Sequence, residues 1–193
     1  MLKELLTTFV VSASAAGVDV TPHDATRYLD KQATCLAKNM YYEARSQGLA
    51  GQLAVSLVVL NRVRDDRYPS TICEVVHQGP VRESWKTRGK DVAESQRKYF
   101  PIRNRCQFSW YCDGKSDEPN EPTTYGTLYD MAVDLVYGDI EVVDITEGAT
   151  HYHADYVYPA WRKTKTRTIE IEDHIFYRWE TVSYTHLTLP TKA

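Results

Sequence analysis

The sequence predicts a single, mainly helical α+β domain, with a buried central helix closed on one side by a small antiparallel β-sheet. Three observations carry that prediction. Leu29, Ala33, Leu36, Ala37, Met40 and Ala44 recur at spacings of three and four, the period of one helix face. Residues 49–64 are apolar nearly all round, as in a helix covered on every side. Residues 166–171 alternate polar and apolar, Glu172-Asp173 turn the chain, and 174–177 resume the pattern, which reads as a hairpin. The 193 residues suffice for one core, and the domain is expected to span 20–181.

The elements follow in order. Thr21 or Asp24 caps a helix that runs to about residue 46, and Gly48 allows the turn after it. The second helix, 49–64, buries Leu49, Leu53, Ala54, Leu57, Val58, Leu60 and Val63. Gln52 and Asn61 on it need partners, and neighbouring backbone is expected to supply those of Asn61. Arg67-Tyr68-Pro69 end the helix, and Ser70 or Thr71 caps a short helical piece over 72–77. Residues 80–105 set Arg82, Lys86, Arg88, Lys90, Arg97, Lys98, Arg103 and Arg105 against Glu83, Asp91 and Glu94. They are expected to form a loop with a short helix over 92–99, either a solvated surface or one that attracts an anionic polymer. Gln107, Ser109 and Tyr111 alternate with Phe108 and Trp110, which predicts an extended segment. A third helix over 123–137 buries Tyr125, Leu128, Met131, Ala132 and Leu135 and stops at Gly138. Residues 149–152 form a strand.

The opening MLKELLTTFVVSASAAG offers Lys3, an apolar run over 5–11 and an Ala13-Ser14-Ala15 cleavage-type site. Glu4, Thr7 and Thr8 interrupt that pattern. Residues 1–19 therefore read as a secretory leader or as an N-terminal extension. Elsewhere no apolar run approaches the roughly 20 residues of a membrane span, so no stable membrane insertion is expected. Residues 182–191, VSYTHLTLPT, resemble a translated transposon-based sequencing adapter, and 182–193 are expected to be a non-native tail. A net charge of −3 gives no case for nucleic acid, and a monomer is expected. Four cysteines allow three pairings. The short step between Cys106 and Cys112 favours one small loop and leaves Cys35 with Cys73, whereas in a reducing compartment all four stay thiols. No C-x-x-C spacing supports zinc.

Glu43 is the candidate for chemistry. It follows Met40 by three residues and Leu36 by seven, so its carboxylate points with the apolar stripe. It also lies in the last turn, where the helix dipole disfavours negative charge. Burial and dipole both raise the pKa, and an acid kept protonated near neutral pH is what general acid catalysis requires. The plainer reading is a boundary residue that reaches water or pairs with Arg45 or Arg62.

Four blocks then add a resemblance. YYEARSQGLAGQLAVSLVVLNRVRDDRYPSTICEVV, CQFSWYCDG at 106–114, GATHYHADYVYPAW at 148–161 and HIFYRW at 174–179 resemble the spore-cortex-lytic-enzyme (SleB-like) family of cell wall hydrolases, in that family's order. The resemblance implies a peptidoglycan-cleaving enzyme whose glutamate corresponds to Glu43. By analogy alone it implies a lysozyme- or transglycosylase-like fold. A glycine often stands near the hairpin turn in that family; Glu172 and Asp173 stand there here. The implied partner is the peptidoglycan glycan strand, in the periplasm or at the cell wall outside the cell, or as the target of a phage-encoded lysin.

A two-carboxylate hydrolase needs a second acid, and neither Asp113 nor Glu147 is singled out by its setting. Lytic transglycosylation needs one, and the resemblance favours that route, with Glu43 as acid and then as base; no cofactor and no metal are expected. Tyr42, Gln107, Ser109, His151, Tyr152, His153 and Trp161 are the candidates for holding sugar. Two alternatives stay open. His151-x-His153 shares one strand face and could bind zinc in an amidase that cuts the peptide stem. The aromatics and the basic stretch also suit a non-catalytic wall-binding module. No G-x-S-x-G or Cys–His signature supports a serine or cysteine nucleophile.

Overall fold

The computed structural model describes residues 21–140 and 142–180; the leader or extension at 1–19 and the tail at 182–193 lie outside them. Helix α1 is Pro22–Ala44. Its start is set by Thr21, whose side chain accepts from the Asp24 backbone N–H at 3.2 Å, and by Pro22 in the first turn. The stripe read from the sequence is the core face: Ala33, Leu36, Ala37, Met40 and Ala44 are buried. The helix stops at Ala44, two residues before the expected end, where Gln47 N–H turns back to the Ala44 carbonyl.

Helix α2, Leu49–Arg64, buries Ala54 through Leu60 without a break. Leu49, expected inside, is instead 68% exposed, because it sits in the first turn beyond the cover of α1. The N-cap residue of α2, Gly48, has no side chain to cap the helix. Glu172 does so from across the fold: its Oε2 accepts from Gly48 N–H at 2.7 Å and its Oε1 from Gly51 N–H at 3.2 Å. A Cβ on either glycine would stand 2.8 or 2.9 Å from that carboxylate, so this clamp explains both glycines.

Helix α3 is Ile72–Val76, capped by Thr71. A disulfide from Cys35 to Cys73 ties it to α1. The basic stretch departs from expectation. It forms an antiparallel arm, β1 (Val81–Glu83) with β2 (Tyr99–Pro101), and only a 3-10 turn at Glu94–Gln96 within the loop. The segment after it is also not extended. Ser109–Cys112 wind as a 3-10 turn, closed by a Cys106–Cys112 disulfide. Burial still alternates there, with Phe108, Trp110 and Cys112 inside and Gln107 and Ser109 outside. Helix α4, Pro122–Tyr137, packs along α1 and ends at Gly138 in the left-handed region.

The remaining chain forms one antiparallel sheet of order β3-β5-β4, from β3 (His151–Ala154), β4 (Thr166–Ile171) and β5 (His174–Arg178). The β4–β5 turn is tight, with Glu172 at φ 51°. The strand read at 149–152 begins two residues later. The sheet packs Phe176 on Ala54 and Val58 of α2, beside Ala149. The larger core lies among the four helices. The chain is one α+β domain with a buried α2 at its centre.

Candidate active site

Glu43 projects from the last turn of α1 toward β3. Its Oε2 accepts a hydrogen bond from the Tyr152 hydroxyl at 3.0 Å. Burial pushes the Glu43 pKa up, and the Tyr152 bond and the Arg62 charge only partly oppose it. Burial and the adjacent carboxylate drive the Tyr152 pKa well above its ordinary value, so its hydroxyl stays a donor. Burial thus favours the protonated form of Glu43, and one neutral donor keeps its carboxyl in place.

Arg62 supplies the positive charge nearby. It is 2% exposed, an unusual place for a guanidinium. Its Nε donates to the Thr150 carbonyl at 2.7 Å, and its guanidinium lies over the rings of Tyr68 and Phe108 at 5.4 and 5.1 Å. Thr150 is two residues before Tyr152, so this bond fixes the strand that carries the partner of Glu43. Arg45 is engaged elsewhere, 3.3 Å from Glu121 and stacked over Tyr41. The sequence signal for Arg62 is an arginine in the last turn of the apolar α2, three positions along the helix from the buried Val59.

Asn61 beside it pins the approach to β3. Its Nδ2 donates to Asp144 Oδ2 at 2.9 Å and to the Ala149 carbonyl at 3.0 Å. Asp144 also accepts from Thr146 N–H and Gly148 N–H, both at 2.8 Å. Burial alone would raise the Asp144 pKa, but these hydrogen bonds outweigh it and hold the group below the ordinary carboxylate range. The sequence predicts local backbone partners for Asn61; the structure gives it a distant loop.

The sugar-binding candidates divide into three places. Tyr42 stacks on Trp110, with ring centroids 4.7 Å apart, and its hydroxyl donates to the Ser116 carbonyl. Trp110 thereby docks the Cys106–Cys112 loop onto α1 beside Glu43. Gln107 and Ser109 are exposed on that loop. Tyr152 alone of the β3 candidates turns to Glu43. His151 and His153 occupy the opposite face of β3, where both rings lie against Trp161, at 5.2 and 5.7 Å. His153 Nδ1 donates to the Ala154 carbonyl at 2.8 Å, and its Nε2 meets the Tyr177 hydroxyl at 3.1 Å. Both nitrogens are therefore occupied. Burial lowers the His151 pKa to about 4, helped by the Arg62, Lys165 and Arg67 charges. Among the described residues no group of three His, Cys, Asp or Glu side chains is arranged to hold a metal ion. None of their helices is long and apolar enough to cross a membrane.

Comparison with known proteins gives the family. No curated protein matches the chain significantly. Two solved structures resemble it: the catalytic domain of the Bacillus cereus SleB protein, at 24% identity over 77% of this chain and 91% of that one, TM-score 0.47; and the catalytic domain of the germination-specific lytic transglycosylase SleB from Bacillus anthracis, at 23% identity over 76% and 93%, TM-score 0.49. The family model described as Cell Wall Hydrolase matches residues 46–177, a span that opens just after Glu43 and takes in Arg62, Tyr152 and the Glu172 clamp. With most of its domain inside that match, the chain belongs to the cell wall hydrolase family.

Proposed function

We propose that this cell wall hydrolase cuts peptidoglycan glycan strands at the MurNAc–GlcNAc bond by lytic transglycosylation, with Glu43 as its acid and base. The observation that carries the reading is the environment of Glu43. Among the described residues, the groups that act on its charge are Tyr152 and Arg62, while the other acid raised by burial, Asp117, acts on Tyr42. A site with one raised acid suits a reaction whose nucleophile belongs to the substrate.

Protonated Glu43 gives its proton to the glycosidic oxygen as the bond from muramic acid C1 breaks. The muramic acid 6-hydroxyl attacks C1 and closes a 1,6-anhydro ring. The proton released by that hydroxyl returns to the Glu43 carboxylate, so no water is consumed. Tyr152 keeps the carboxylate aligned in both protonation states, and Tyr42 and Trp110 form the adjoining aromatic wall.

The amidase reading loses support from His153, whose two ring nitrogens are already bonded within the fold. We further propose action on the wall side of the membrane, a setting in which Cys35–Cys73 and Cys106–Cys112 persist as disulfides.

The test is mass spectrometry of purified peptidoglycan after digestion. Muropeptides ending in 1,6-anhydromuramic acid are expected, and Glu43→Gln should lower their yield by about 10²–10⁴-fold. Products one water heavier would replace transglycosylation by hydrolysis. Stem peptides released from intact glycan would sink the glycosidic assignment altogether.

A further inference from the structure

The β1–β2 arm carries a feature that the reaction does not use. Two of its acids are neutralised internally: Glu83 is held by Arg97 at 2.7 Å, and Glu94 by Arg97 at 3.3 Å and by the Tyr99 hydroxyl at 2.9 Å. Arg82 pairs across the ladder with Phe100, and Ser84 N–H bonds the Lys98 carbonyl. These four residues, with Glu83, Trp85, Lys86 and Arg88, line a cavity of about 420 Å³, so the single acid of that lining is one already bound to Arg97. Among the described residues none of Arg82, Lys86, Arg88 and Lys98 has an ion-pair partner. Trp85 is 74% exposed and Phe100 52%, far more than large aromatics normally show to water without a use. Four cations without an ion-pair partner, with Lys86 over the Trp85 ring at 5.7 Å, against the one acid Glu83, are a local reversal of sign on a chain of net charge −3.

We propose that this arm is a second substrate-binding site, which takes the carboxylate-bearing peptide stems of peptidoglycan. Arg82 and Arg88 offer forked donors that match a carboxylate, and Lys86 and Lys98 add point charges. Trp85 and Phe100 give the aliphatic parts of a short peptide an apolar floor. The arm is rooted next to the Cys106–Cys112 loop: Gln107 N–H donates to the Gln78 carbonyl at 2.8 Å, and Gly79 fits against Cys106, where a Cβ would stand 3.0 Å from Cys106 Cα. That same Cys106–Cys112 loop stacks Trp110 on Tyr42 beside Glu43. Stems hang from the strand that Glu43 cuts, so a strand in the site presents carboxylates on its flank. The choice of stems over other anions rests on the glycan-cleavage reading above.

The experiment reads retention, so it does not depend on cleavage. Full-length Glu43→Gln protein is co-sedimented with purified sacculi, alone and with Arg82→Ser, Lys86→Ser, Arg88→Ser and Trp85→Ala added together. All four added positions are exposed, and matching circular dichroism and Tm establish that the fold is kept. Retention is expected to weaken about tenfold in the combined variant, the scale expected when several charge-assisted hydrogen bonds are removed. It should weaken equally for the parent when sacculus carboxylates are converted to amides. Equal retention by both proteins would overturn the proposal. So would a loss in the variant with no response to amidation, or a dependence on phosphodiester polymers removed by acid. Failure of the anhydro-muropeptide assay would instead strike Glu43 chemistry and leave the retention result standing.

Discussion

Glu172→Ala tests the clamp that joins the end of the β4–β5 turn to the start of α2. Glu172 accepts two backbone N–H groups that have no partner within the helix. A side-chain cap contributes about 1 kcal/mol, and a carboxylate at a helix N-terminus adds about 0.3–1 kcal/mol. The carboxylate is exposed, so the lower part of that range applies and the expected loss is about 1.5 kcal/mol. For a domain of this size that corresponds to a fall in Tm of about 3–6 °C by calorimetry. Glu172→Gly loses the same cap but relieves a backbone held at φ 51°, which returns about 1 kcal/mol, so its Tm should lie above that of Glu172→Ala. Gly51→Ala attacks the clamp from the other side, since the new methyl meets Glu172 Oε2 at 2.9 Å; it also meets Gln47 Cβ at 2.8 Å, a cost that stays in the double variant. The two substitutions share one interaction, so the double variant should lose at least about 0.5 kcal/mol less than the sum. Additive losses, or a Glu172→Ala protein with unchanged Tm, would refute the reasoning.

Three further outcomes follow from the same structure. Tyr152→Phe removes a hydrogen bond that favours ionised Glu43, so the Glu43 pKa should rise further; the alkaline limb of the kcat/KM–pH profile should move to higher pH while kcat falls, and a limb that moves down would contradict the assignment. Asp144 has a depressed folded pKa, so its contribution is present above the unfolded Asp pKa and is lost as pH falls through the folded value. Asp144→Asn should therefore cost about 1–2 kcal/mol at neutral pH and narrow toward wild type in an acid titration of Tm. Of the two disulfides, Cys35–Cys73 closes the longer loop, 38 residues against 6. Loop-closure entropy gives about 4 and about 2 kcal/mol, so serine pairs at the two sites should differ in Tm in that order.

The parts of the fold that are legible in the sequence are those with a long, regular period. The α1 stripe, the all-round apolar α2 and the alternation over Thr166–Ile171 each repeat often enough to be read. The arm does not read as a hairpin because β1 and β2 are three residues each and pair across the long loop 84–98. Alternation at 107–111 reports burial correctly and backbone wrongly, since the 3-10 turn at Ser109–Cys112, closed by Cys106–Cys112, is too short to show its own period of three. At β3 the period of two already separates Tyr152 from His151 and His153, although residue type alone groups all three as sugar-binding candidates. Arg62 is legible as a charge partner for Glu43, but its bond to Thr150, 88 residues on, and the contact of Asp144 with Asn61, 83 residues away, are encoded in no local pattern.

The strand order β3-β5-β4 has a consequence for the timing of assembly. Of the described strands, the last to be synthesised is the one in the middle. Until residues 174–178 emerge from the ribosome, β3 has no strand of this sheet to pair with and Tyr152 has no Phe176 behind it. The Glu172 clamp belongs to the same hairpin and arrives only moments earlier. Tyr152 therefore meets Glu43 in its final setting only after β5 is made, although the two residues are separated by 109 positions in the chain.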